Sequence, residues 1–169
     1  MIIIGILGDI GSGKSYVAQN FGYPVFNADY EVAKLYQKNK NIFNKLKAKL
    51  PKYINSFPME KKEISDAILA NENNLKKIVK IVHFEIRKKL NNFLKKNRHK
   101  RIVILDIPLL LENKINKKKD ILVYVQSKKF KAIQLPLNYK KKKSNYIINN
   151  NFTKKSIKDG IKGILREIK

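Results

Sequence analysis

The chain has 169 residues, no cysteine and a formal charge of +25, from 38 Lys and Arg against 13 Asp and Glu. The absence of cysteine excludes disulfides, thiolate catalysis and cysteine-based zinc sites, and the length suits one domain, or one domain with a small insertion, able to bury about two-thirds of its unfolded surface. The positive charge is almost all lysine, spread along the chain among many Asn and Ile residues, and its densest runs, 117–119 and 140–143, lack the interleaved aromatics of a single-strand stacking surface. The expectation is therefore no specific nucleic-acid partner, although the same field would draw in a small anionic substrate.

In chain order, the apolar run Ile2 to Leu7 predicts a buried strand. It is too short to span a membrane, lacks a charged leader and is soon interrupted by Asp9, so a soluble cytoplasmic protein is expected. Directly after it stands Gly8-Asp9-Ile10-Gly11-Ser12-Gly13-Lys14-Ser15, and a helix is expected over 15–21. Strand, glycine loop and helix start in that order form a phosphate-binding loop. Its glycines let the backbone turn tightly and aim N–H groups inward, and the helix start adds positive potential, which suits a nucleoside triphosphate. Lys14 would reach the β- and γ-phosphates, and the Ser15 hydroxyl would ligate the bridging Mg²⁺.

Tyr23 to Phe26 predicts a short second strand, followed by Asn27-Ala28-Asp29 and a helix through Val32, Leu35 and Tyr36. From Ile42 to Leu94 only helical periods occur, broken at Pro51 and Pro58, with Ser65 or Asn71 as starts of new helices. Leu75, Ile78, Val79, Val82, Ile86, Leu90 and Leu94 recur at three- and four-residue steps and predict a long amphipathic helix. Ile102 to Ile107, closed by Pro108, and Ile121 to Val125 predict two further buried strands. Tyr146 to Ile148 ends the series, and a last helix from about Thr153 carries Ile157, Ile161, Ile164, Leu165 and Ile168. Continuous apolar strands alternating with helices imply an α/β fold: three layers around a parallel sheet of about five strands. The reading is a single kinase-like domain over 1–169 with a helical, substrate-facing block inserted at 40–98.

Ligands of such sheets lie beyond the carboxyl ends of the strands. Asp29 follows the second strand, where a carboxylate can deprotonate an acceptor hydroxyl; it would serve equally as the N-cap of the next helix. Asp106 ends the third apolar run, where ionisation is costly unless a cation or donor is met, and this is the usual place of the carboxylate that holds Mg²⁺. Glu112 reads as a surface residue of a helical turn, and His83 alone as a packed or surface histidine. Neither His83 nor His99 has a partner at metal-ligand spacing.

Taken together, Gly8 to Ser15, Asn27-Ala28-Asp29, Ile81-Val82-His83, Leu105 to Glu112 and Asn145 to Asn150 resemble the dephospho-CoA kinase family in order and spacing, over most of the chain. The resemblance implies transfer of the γ-phosphoryl group of ATP, with Mg²⁺, to the ribose 3′-hydroxyl of dephospho-CoA, the last step of coenzyme A synthesis. By resemblance, Asp29 is the base at that hydroxyl. His83 stands near the acceptor, with Phe84 in place of the family's proline, and Pro108, Leu109 and Glu112 belong to the acceptor side. Gly8 to Tyr16 and Asn150 hold the donor nucleotide, and Asp106 and Ser15 hold the metal. The chain departs from the pattern at Asn145, usually aspartate, and near 127–131, where a helical lid with a clamping arginine is expected. No arginine occurs between Arg101 and Arg166. Either lysines such as Lys128 or Lys131 substitute poorly for it, or a mobile segment is omitted from the sequence. Competing readings are another nucleoside or nucleotide kinase, and a lidless nucleotide-binding module without efficient turnover.

Overall fold

The computed structural model describes residues 1–9, 11–107, 120–127 and 137–168. Five strands, β1 (Ile2–Gly8), β2 (Val25–Asn27), β3 (Ile102–Asp106), β4 (Ile121–Ser127) and β5 (Tyr146–Asn150), form one parallel sheet in the order β2-β3-β1-β4-β5. The three inner strands β3, β1 and β4 were legible as apolar runs because a central parallel strand is buried on both faces, whereas the edge strands β2 and β5 are only partly buried. In β3, all five residues from Ile102 to Asp106 are buried.

One face of the sheet carries α1 (Lys14–Asn20) and α7 (Lys154–Glu167). Val17, Ala18 and Phe21 meet Ile157, Ile161 and Ile164 over Ile4, Ile6, Ile104, Val123, Val125 and Ile148 in one core. Burying each of these large side chains contributes about 1.5–3 kcal/mol. α7 starts at Thr153, whose hydroxyl accepts the Ser156 N–H, as its sequence position suggests.

The chain divides into two compact units, residues 1–27 with 96–169, and residues 28–95. The second is wholly helical: α2 (Ala28–Lys38), α3 (Lys40–Lys49), α4 (Lys61–Ala70) and most of α5 (Glu72–Lys96). Within it Lys89 pairs with Glu31 at 2.7 Å, tying α5 to α2. On α5 the four-spaced row Ile78, Val82, Ile86 and Leu90 is buried together with Asn74, whose amide reaches the Ala67 carbonyl at 3.0 Å. Leu75 and Val79 lie one row over and remain more than a third exposed.

Two helix starts differ in outcome. Asn71 does open α5, its side chain accepting the Asn73 N–H at 2.7 Å. Ser65 opens nothing: α4 already begins at Lys61, set by a capping box in which Glu60 and Glu63 satisfy each other's backbone N–H groups. A helix that sequence reading passed over, α6 (Leu137–Lys143), runs through the lysine cluster. Among the described residues no helix is long and apolar enough to cross a membrane.

Candidate active site

β1 sits between β3 and β4, the position where connections leave the sheet in opposite directions and a crevice opens at the carboxyl ends. The glycine loop leaves β1 there. Gly11 and Gly13 turn it at φ 74° and 85°, and α1 begins immediately after Gly13. The two glycines that matter sterically are Gly8 and Gly13. A Cβ on Gly8 would lie 2.6 Å from Ser12 Oγ and 2.7 Å from the Val125 carbonyl, and one on Gly13 would lie 2.5 Å from Asn150 Nδ2. Gly13→Ala therefore meets both a left-handed backbone and a rigid neighbour. It is expected to weaken ATP binding by about tenfold or more in a titration, with the α5 core untouched.

The loop is cross-braced from within. The Asp9 carbonyl accepts the Ser12 N–H at 3.1 Å and the Lys14 ammonium at 2.7 Å. From β5, Asn150 donates its amide to the Ser12 carbonyl at 2.9 Å and accepts the Phe152 N–H at 2.8 Å. Asn150 is thus a brace for the phosphate loop, and it is buried. Below the loop, Tyr124 on β4 donates its hydroxyl to Asp9 Oδ2 at 2.9 Å, with both side chains buried. Burial first, then the bond to Asp9 and the carboxylate's charge, pushes that hydroxyl well above the ordinary phenol value. Ser15 and Tyr16, in the first turn of α1, are exposed.

On the next strand Asp106 is 3% exposed and stands in register with Asn27, whose amide donates to Asp106 Oδ2 at 2.6 Å. Inside an apolar strand a carboxylate needs such a donor. Asn27 had no role in the sequence reading; the two residues are 79 apart, and only strand register reveals the pair. Among the described residues no cluster of three His, Cys, Asp or Glu marks a metal site.

Asp29 lies inside the first turn of α2 and is exposed. The helix is assigned from Ala28, one residue before it. His83 lies half-buried on α5, and Phe84 is exposed with the Lys88 ammonium 4.4 Å from its ring centre. Asn145 has a structural duty: its side chain accepts the Leu122 N–H and its own N–H reaches the Leu122 carbonyl, both at 2.8 Å, bringing β5 onto β4. Ile10, Pro108, Leu109, Glu112 and the lid segment from 128 to 131 lie outside the described residues.

The family model for dephospho-CoA kinase matches residues 2–134, a span that contains every sequence-predicted site residue except Asn150. The chain belongs to the dephospho-CoA kinase family. A dephospho-CoA kinase of Wolbachia sp. subsp. Brugia malayi is 27% identical over 188 aligned positions covering 97% of this chain and 96% of that protein. That of Bartonella henselae is 35% identical over 132 positions, covering 75% of this chain and 67% of that one. A crystal structure from Thermus thermophilus superposes with a TM-score of 0.78 at 25% identity, covering 99% of this chain and 98% of its own. As a member of the dephospho-CoA kinase family the chain is a kinase with a P-loop α/β fold, and it uses ATP to phosphorylate dephospho-CoA.

Proposed function

We propose that the chain transfers the γ-phosphoryl group to the ribose 3′-hydroxyl of dephospho-CoA, with the phosphate loop holding the triphosphate and Asp29 serving as base. The observation that carries this reading is the braced loop at the end of β1, with Lys14 at its close and Asp106 at the end of the adjacent β3. Lys14 exchanges its hydrogen bond to the Asp9 carbonyl for the β- and γ-phosphate oxygens, and the loop N–H groups take the remaining negative charge. The acceptor hydroxyl gives its proton to Asp29 as its oxygen bonds to the γ-phosphorus; the bond from that phosphorus to the bridging oxygen breaks, and ADP leaves. Asp29 fits the task because the residue is exposed and closely follows β2, in the first turn of α2. His83 lies on the acceptor side by family resemblance.

Ser15 and Asp106 offer a hydroxyl and a carboxylate oxygen, the hard donors that Mg²⁺ prefers, and Asn27 keeps Asp106 from rotating. Held by these residues, Mg²⁺ would neutralise charge on the triphosphate. If the lid near 127–131 is deleted rather than omitted from the sequence, the chain lacks the family's arginine clamp, a group worth about 10³ or more in rate, and turnover is expected to be slow for the family, with Lys128 or Lys131 as poor substitutes.

Removing the Asp106 charge is the test. Asp106→Asn is expected to raise the Mg²⁺ concentration needed for half-maximal coenzyme A formation by about 10- to 100-fold, while metal-free ATP binding changes little. An unchanged Mg²⁺ requirement would leave Asp106 as a core carboxylate and remove it from the site.

A further inference from the structure

A carboxylate in a phosphate-binding loop is electrostatically out of place, since the loop exists to collect negative charge. Asp9 is nonetheless there, 7% exposed, between Gly8 and the rest of the loop. Its Oδ2 accepts the Tyr124 hydroxyl, while its Oδ1 and the Ser12 Oγ are buried without a hydrogen-bond partner among the described residues. Its main-chain carbonyl is the seat of the Lys14 ammonium and of the Ser12 N–H. One residue thus links β4 beneath the loop to the cation that meets the phosphates.

We propose that Tyr124 is a positioning residue for the donor nucleotide: its hydroxyl holds the Asp9 carboxylate against β4, and through the Asp9 peptide this sets where Lys14 stands. The geometry supports it on three counts. Tyr124 is wholly buried, so its hydroxyl must find a partner within the protein, and Asp9 is that partner. β4 is fixed to β1 by continuous register, Leu7 opposite Tyr124 and Gly8 opposite Val125, which gives the anchor a rigid base. The Val125 carbonyl also closes against Gly8, leaving the start of the loop no room to shift sideways. The high proton affinity of the Tyr124 hydroxyl keeps it a donor throughout the neutral range.

Loss of the Tyr124 hydroxyl leaves a buried carboxylate with no donor on either oxygen among the described residues, and turning towards solvent, the side proposed for the triphosphate, would relieve it. Neutralising Asp9 removes that conflict. The inference rests on the loop being the ATP site, and the experiment separates the two. ATP affinity is titrated for the wild-type protein, Tyr124→Phe, Asp9→Asn and the double variant, with melting temperatures and the KM for dephospho-CoA alongside.

Tyr124→Phe is expected to weaken ATP binding by about tenfold with the dephospho-CoA KM unmoved. The double variant should regain most of that loss, because no charge is left unpaired. An affinity for Tyr124→Phe within about twofold of wild type overturns the proposal, as do losses that simply add in the double variant. Should Tyr124→Phe fail to fold, the double variant decides: near wild-type ATP binding supports the proposal, and a loss of about tenfold or more relative to Asp9→Asn refutes it. A wild-type protein that does not bind ATP would overturn the loop assignment itself.

Discussion

Lys14→Ala is expected to lose ATP binding and turnover together. The Lys14 ammonium is held at the loop by the Asp9 carbonyl, 2.7 Å away, and the residue is half-buried there; in the proposed reading this is where phosphate oxygens arrive. Each hydrogen bond from a charged donor to phosphate is worth about 1.5–3 kcal/mol. Losing contacts to both the β- and γ-phosphates should therefore weaken ATP binding by about 10²- to 10⁴-fold. Charge accumulates further on the bridging oxygen as the bond to ADP breaks, so kcat should fall by about another 10²-fold. Isothermal titration with ATP and a steady-state assay check both numbers. An affinity change without a change in kcat would mean that Lys14 contacts the ground state and transition state equally.

Asp29→Asn should behave in the opposite way. The amide keeps the shape of the side chain in the first turn of α2 but cannot take a proton, so phosphoryl transfer should drop by about 10²–10⁴-fold, the usual contribution of a positioned base. ATP affinity should stay within about twofold, because in the proposed mechanism the carboxylate acts on the acceptor and not on the donor. The fold should tolerate the change: Asp29 is exposed, and loss of one acidic group from a first helical turn costs only about 0.3–1 kcal/mol. The pair of variants thus separates donor binding from acceptor chemistry. Comparable turnover by Asp29→Asn would require a different base or none.

The parts of this arrangement that were legible in the sequence are those encoded locally. The glycine loop directly follows its strand, and the apolar runs of β1 and β3 were readable because these inner strands are largely buried on both faces. α5 was readable from its four-spaced buried row. The features that escaped depend on pairing between distant segments. Asn27 orients Asp106 only because β2 lies beside β3 in one register. Tyr124 was read as one more buried strand residue; the signal that could have singled it out is its hydroxyl, which a buried tyrosine must satisfy. Asn150 could be assigned to the nucleotide by resemblance, but its bond to the Ser12 carbonyl 138 residues earlier could not be read from spacing. Ser65 misled for a local reason: a serine is a better N-cap than Glu60 on general preference, yet the Glu60–Glu63 box had already started α4.

The most direct measurement is formation of coenzyme A by the full chain from ATP, Mg²⁺ and dephospho-CoA, tracked by product mass and by the position of the new phosphate on the ribose. One 3′-phosphorylated product for each ADP released is the predicted result. ATP bound by the protein with no coenzyme A formed, or turnover confined to a different nucleoside acceptor, would contradict it.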